Sequence, residues 1–462
     1  MTATNWSPSI SKTLGPLYLA IADALSADIG AGRLPAGFRL PPQRTLADQL
    51  GIDFTTVSRA YAEARKRGLV EGRVGQGTYV RAQPQAAPAT AATGIIDMSM
   101  NLPPRFDAPE LAAQMWGGIA DLQASAGLDL LMRYQEAGGS SRDRAAGAAW
   151  LAPRLGDLDP GRLLVTPGAQ GALLALLGAI AGPGETVCAE ALSYPGLLAV
   201  ARHLRIRVEA EAMDAGGLIP EAFEELCRAR APKALYCTPT LHNPTTATLS
   251  LARREQIVAI AREHQVPIIE DDAYGALPAR PVAPFAALAP DITYHIAGLA
   301  KCVSPALRVA YVVMPSAHGS ADLESAVRAT AGMASPLTAA IATRWIESGV
   351  AQSVLAAIRH EAKLRQAIVA ETLPADLVQT DPEGFHAWLR LPDHWTRSDF
   401  AARLRSVGIG VVTSDAFSVS GHAEDAVRLG LGAAPDRASL AAGLRTVAEL
   451  LAQKSTMSAM VV

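Results

Sequence analysis

The sequence predicts an α/β protein in two parts. One is a small helical head ending in a hairpin. The other is a large body built on an open, mostly parallel sheet, with a small C-terminal α+β subdomain. Three observations carry this. Three helical stretches and a Gly-Gln-Gly segment fill residues 1–82. An uncharged Pro, Ala and Thr stretch, AQPQAAPATAATG, comes next. Beyond it, short apolar runs alternate with longer helical stretches, which is the pattern of a parallel sheet covered by helices. The head is therefore placed at 1–82, a linker at 83–95 and the body at 96–462.

Composition and charge narrow the class. Half of the 462 residues are hydrophobic and 18% are charged, which suits a folded chain with a sizeable core. No charge-free apolar run reaches about 18 residues, so no membrane-spanning helix is expected. The start, MTATNWSPSISK, lacks a basic region followed by an apolar stretch, so no secretory signal is expected. Cys188, Cys227, Cys237 and Cys302 have neither metal-ligand nor disulfide spacing. The expectation is a cytoplasmic protein with no metal and no membrane contact. Residues 1–82 hold ten Lys and Arg against six Asp and Glu, a net of +4, which leaves 31 against 38, a net of -7, for the rest. A basic head on an acidic body suits a head that touches phosphates.

In the head, Leu17, Ile21, Leu25 and Ile29 recur every four residues, so a helix is predicted over 16–31, ended by Gly30 and Gly32. Leu46 and Leu50 face a core from a short second helix, and Gly51 supplies a turn. A third helix begins near Thr55, with Val57, Ala60, Tyr61 and Ala64 as its buried stripe. Two helices joined by a tight Gly turn make a helix-turn-helix. Asp53, Thr55 and Thr56 can cap that last helix or point out of its first turn, the part that meets base edges in the major groove. Two glycines bracket Gln76 in VGQGTYV, the tip of a hairpin or wing.

This head resembles the GntR family of winged-helix regulators. The motifs are LPPQR, GIDFTTVSRAY and GQGTYV, over about residues 14–82. The resemblance implies that Arg44, Thr55, Thr56, Arg59, Gly75 and Gly77 lie at double-stranded DNA. Family members often carry a basic or polar residue where Phe54 stands. Arg65, Lys66 and Arg67 read as a solvated helix end, with phosphate contact open.

In the body, strands are predicted at 163–166, 186–189, 233–237, 267–270, 293–296 and 308–313, and helices at 171–180 and 253–264. HAWLRLP, a helix over 397–407 and VRLGL make up the C-terminal subdomain. In HIAGLAKCVSPALRVAYVV, Lys301 stands between two strands, where a pocket can hold it and make it lose its proton readily. Arg308, on the next strand, can present a fork of donors to a phosphate. In VTPGAQGALLAL, the free backbone N–H groups of Ala169 and Gln170 at a helix start also suit a phosphate. IIEDDAYGAL supplies Asp271, a carboxylate for a protonated ring nitrogen, and Tyr274 three residues on. TPTLHNPTT places Asn243 on a loop, and ALSYPG places Tyr194 to stack on a ring.

Together these parts resemble fold-type I aminotransferases, from about Ile96 to Leu451. The resemblance implies a pyridoxal 5'-phosphate cofactor held covalently as an aldimine on Lys301. It implies that Arg428, in AVRLGLG, clamps a ligand carboxylate; the alternative is a structural ion pair. It also implies that Tyr134, in LLMRYQEAGG, reaches the other subunit's phosphate. The family has serines three and one positions before the lysine, where this chain has Gly298 and Ala300.

A GntR-type head joined to such a body identifies the chain as resembling the MocR family of bacterial regulators. That resemblance implies a transcription regulator, acting as a homodimer with one subunit's head against the other's body. Its body would sense pyridoxal phosphate, a small amino compound, or both. The alternatives are an active aminotransferase carrying a DNA-binding head, and a body that only dimerises without a cofactor.

Overall fold

The structure, a computed structural model, describes residues 6–8, 16–30, 33–35, 37–67, 69–73, 77–80, 96–127, 129–316 and 321–453. The expected linker and the wing tip with Gly75 lie outside these residues. The chain divides into two compact units, Met1–Gly94 and Ile95–Val462.

In the first unit, helices span Leu17–Gly30, Gln43–Leu50 and Phe54–Lys66. Strands Val70–Arg73 and Gly77–Val80 pair antiparallel, with Val70 opposite Val80. Gly51 ends the second helix in the left-handed region (φ 62°), a conformation glycine adopts without a Cβ clash. Asp53 starts the third helix by accepting the Thr55 backbone N–H at 2.7 Å. Ile21, Leu25, Leu46, Val57, Tyr61 and Val80 close the core, each contributing roughly 1.5–3 kcal/mol by leaving water. The Tyr61 hydroxyl donates to the Pro41 carbonyl at 2.8 Å, so its burial leaves no orphaned group.

The second unit is built on a seven-stranded sheet. Its order is Leu163–Thr166, Ala310–Val313, Thr293–Gly298, Ile268–Asp271, Leu235–Cys237, Thr186–Glu190 and Arg207–Glu211. Every pairing is parallel except those of Ala310–Val313, which runs antiparallel to both neighbours. Apolar clusters cover both faces, which is why the central strands are nearly unbroken apolar runs.

Three local expectations are corrected. Arg207–Glu211 forms a strand where the sequence pattern predicts none. The helix expected from residue 171 begins earlier, as Gly168–Ile180. Arg308 is not on a strand: it sits at φ 52°, two residues before Ala310–Val313.

The C-terminal part is an antiparallel sheet in the order Val378–Thr380, His386–Arg390, Ala426–Gly430 and Val412–Thr413. Helices Arg397–Ser406 and Arg437–Ala452 contribute to the same hydrophobic cluster as this sheet. Ile96–Asp97, the first described strand of the unit, pairs parallel with Ile409–Gly410. Among the described residues no helix is long and apolar enough to cross a membrane.

Candidate functional site

Strand ends and loops on one side of the seven-stranded sheet enclose a cavity of about 440 Å³. Asp271 ends its strand and lines the cavity. Lys301 arrives three residues after Thr293–Gly298, and Tyr194 caps the helix Pro195–Leu204. The helix Gly168–Ile180 points its N-terminus at the same space, so the N–H groups of Ala169 and Gln170 lack intrahelical acceptors. Ligand crevices at the carboxyl ends of strands are the general rule for open α/β sheets.

The Lys301 ammonium donates to the Asn101 carbonyl. Burial pulls its pKa down to about 8, and the Arg428 cation adds to that while Asp271 opposes it. Asp271 Oδ2 accepts the Tyr236 hydroxyl at 2.7 Å, whereas Oδ1 is buried without a partner. Burial raises the Asp271 carboxyl above its ordinary range, and the Tyr236 bond works against that rise. Asn101 Nδ2 donates to the Tyr274 hydroxyl at 2.8 Å. Burial raises the Tyr274 and Tyr194 hydroxyls, so both stay protonated at neutral pH.

Arg428 is buried on strand Ala426–Gly430. It donates to Asn243 Oδ1 at 2.9 Å and to the Ser99 carbonyl, and it lies 5.1 Å from the Phe417 ring centre. Its Nε has no partner, and no carboxylate pairs with it among the described residues. Arg308 is exposed and stands beside Gly168, where an added Cβ would lie 3.6 Å from its guanidinium carbon. Gly168 has φ 80°, so the left-handed backbone and the close arginine both favour glycine there.

The charged residues lining the cavity are Lys301, Arg308 and Arg428 against Asp271, a net of +2. An anionic ligand completes that set: a phosphate suits the helix N-terminus and Arg308, and a carboxylate suits Arg428. The unpartnered Asp271 oxygen suits a protonated ring nitrogen. The donor set therefore fits pyridoxal phosphate, although Gly298 and Ala300 offer it no hydroxyl. Tyr134 is outside this cavity and is 95% exposed in the single chain.

Sequence reasoning missed Ser99, Asn101, Tyr236 and Phe417. The first two stand in MSMNLPP, with nothing local to mark them. Tyr236 is a buried, polar-tipped residue in an otherwise apolar strand, shortly before the Asn243 loop, which is the one available signal.

In the head, Arg44, Thr55 and Arg59 are exposed and Thr56 is half-buried. The Thr55 hydroxyl bonds Asp53, which holds that carboxyl below its ordinary range. The Arg44 guanidinium lies 5.8 Å from the Phe54 ring centre and that of Arg59 lies 4.3 Å from Tyr18. Gly77 has φ 113°, with Arg39 packed 3.1 Å from where a Cβ would stand.

Residues 17–80 match the bacterial regulatory proteins of the gntR family, and residues 121–447 match aminotransferase class I and II. The chain is 30% identical over 453 residues to the HTH-type transcriptional regulator YdeF of Bacillus subtilis (strain 168), covering 97% of each. It is 29% identical over 408 residues to the vitamin B6 salvage pathway transcriptional repressor PtsJ of Salmonella typhimurium, covering 87% of this chain and 91% of that one. Among solved structures, it resembles LysN, the alpha-aminoadipate aminotransferase of Thermus thermophilus, complexed with N-(5'-phosphopyridoxyl)-L-leucine. The TM-score is 0.69 at 25% identity, over 78% of this chain and 92% of that one.

Proposed function

The chain belongs to the MocR family of transcription regulators, a gntR-type DNA-binding domain followed by an aminotransferase class I and II domain, and from this premise we propose that its body senses pyridoxal phosphate, an amino compound, or both, through Lys301. The observation that carries this is one cavity holding both a lysine with a depressed pKa and a buried carboxylate oxygen without a partner. The relation to a repressor of vitamin B6 salvage supports the cofactor itself as a signal.

Lys301 would hold the cofactor covalently, Asp271 would pair with its ring nitrogen, and Ala169, Gln170 and Arg308 would hold its phosphate. Tyr194 would lie on the ring face, with Asn243 and Tyr274 at the ring hydroxyl. When bound, pyridoxal phosphate supplies an aldehyde for amines and an electron-withdrawing ring. The protein's own groups prepare for this. With a pKa near 8, about a quarter of Lys301 is free amine at pH 7.5, against roughly a thousandth of an ordinary lysine. Arg428 offers a cation without a carboxylate partner to an incoming carboxylate ligand.

We place Arg44, Thr55, Thr56, Arg59, Gly75 and Gly77 at the operator. Exposed Trp116 (69%), Met132 (76%) and Tyr134 (95%) support a homodimer, in which Tyr134 serves the partner's phosphate site and each head lies against the other body. A ligand controls DNA only if it binds two arrangements of the dimer unequally. A second reading, an aminotransferase with a DNA-binding head, draws on the same lysine, whose pKa suits proton transfer near neutral pH.

The test uses full-length protein, added pyridoxal phosphate and a duplex from upstream of its own gene. Wild type is expected to gain visible absorbance, to lose it in Lys301→Ala, and to change its affinity for the duplex. Protein that stays colourless would refute the sensor reading. Steady keto-acid production from amino donors would favour the enzyme.

A further inference from the structure

Phe54 opens the helix Phe54–Lys66 and is 42% exposed. It is the only large apolar side chain left exposed among the described residues of the head. A lone exposed apolar residue is ordinary on a protein surface; what sets Phe54 apart is its position. It stands in the first turn of the second helix of a helix-turn-helix, where side chains meet base edges in the major groove.

Its polar neighbours there are already engaged. Asp53 takes both the hydroxyl and the backbone N–H of Thr55. The Arg59 guanidinium lies on Tyr18, 4.3 Å from the ring centre. Arg44, from the preceding helix, lies 5.8 Å from the Phe54 ring centre, within reach of a cation–π attraction. The tip of the helix therefore presents an apolar ring with one exposed guanidinium group, that of Arg44, beside it. Guanidinium groups suit phosphates and base acceptors. An aromatic ring finds one apolar partner on a base edge in that groove, the 5-methyl group of thymine.

We propose that Phe54 is a specificity-determining residue that packs on a thymine 5-methyl group in each operator half-site, with Arg44 held at its ring to contact the flanking nucleotide. The inference rests on the DNA-binding reading of the head. It also accounts for an aromatic residue at a position where a polar one would gain more from bulk water.

The test selects duplexes from a pool with a randomised core on the full-length protein, then replaces thymine by deoxyuridine in an enriched duplex. That exchange removes only the methyl group. Wild type should bind the uracil duplex about fourfold more weakly for each contacted methyl, from the burial of one methyl-sized apolar group. Phe54→Ala should bind the two duplexes within about 1.5-fold of each other, and Phe54→Leu should keep part of the preference. An unchanged melting temperature and cofactor spectrum would show that neither substitution disturbs the fold. Equal binding of the two duplexes by wild type would overturn the inference, as would a full methyl preference in Phe54→Ala. Failure to enrich any duplex would instead overturn the DNA-binding reading, and this inference with it.

Discussion

Replacing Tyr236 by Phe removes one oxygen and leaves the ring in its buried strand. That oxygen is the donor at 2.7 Å to Asp271 Oδ2, and it counters the burial that raises the Asp271 carboxyl. A hydrogen bond to a charged group contributes about 1.5–3 kcal/mol. Its loss should therefore raise the Asp271 carboxyl further above its ordinary range. Pairing with a protonated ring nitrogen needs the carboxylate, and a higher pKa keeps the carboxyl protonated to a higher pH. On the acid side, where the carboxyl is protonated, pyridoxal phosphate affinity should therefore fall by up to about tenfold to a hundredfold. The acid side of its pH profile should move to higher pH, with the loss shrinking as pH rises. The assay is an absorbance titration with pyridoxal phosphate between about pH 5 and 9, beside a thermal melt to show that the fold is kept. An affinity within about twofold of wild type and an unmoved acid side would refute the role assigned to Asp271.

Two further outcomes are expected. Covalent capture of pyridoxal phosphate by Lys301 should speed up through about pH 8 and level off above it, because the neutral amine is the nucleophile and its pKa is about 8. Stopped-flow absorbance measures this, and a rate still climbing at about pH 10, where an ordinary lysine titrates, would contradict it. Arg428→Lys should weaken the spectral response to amino acids about tenfold or more, since the ammonium cannot reproduce a guanidinium fork. The response to amines lacking a carboxylate should hold, and an equal loss for both ligand classes would remove Arg428 from the clamp.

The architecture was legible wherever burial forced a pattern. The central strands are buried on both faces, so they stand out as apolar runs, and the helix-turn-helix stripe Val57, Ala60, Tyr61, Ala64 is set by helical spacing. Arg207–Glu211 escaped because it is an edge strand with Arg207, Glu209 and Glu211 in a five-residue run, which reads as polar loop. The Arg308 backbone escaped because nothing in SPALRV announces a left-handed arginine. Within the site, the residues on recognisable local motifs, Asp271, Lys301 and Arg428, were nameable in advance. Their partners were not. Asn101 meets Lys301 across 200 residues and Ser99 meets Arg428 across 329, and contacts of that separation leave no trace in local composition.

The short strand Ile96–Asp97 gives those long-range contacts a shared address. It is clamped to the C-terminal subdomain by Ile96 N–H to the Gly408 carbonyl at 2.7 Å and Met98 N–H to the Gly410 carbonyl at 2.8 Å. Within the next three residues come the carbonyl that holds Arg428 and the carbonyl that holds Lys301. Measured along the contour of the chain, Asn101 is five residues from Ile96, at most about 18 Å of backbone. Ile96 is also the first described residue of the second unit. A ligand that drew Lys301 or Arg428 away from these carbonyls would therefore pull on backbone no more than five residues from the strand that opens the second unit.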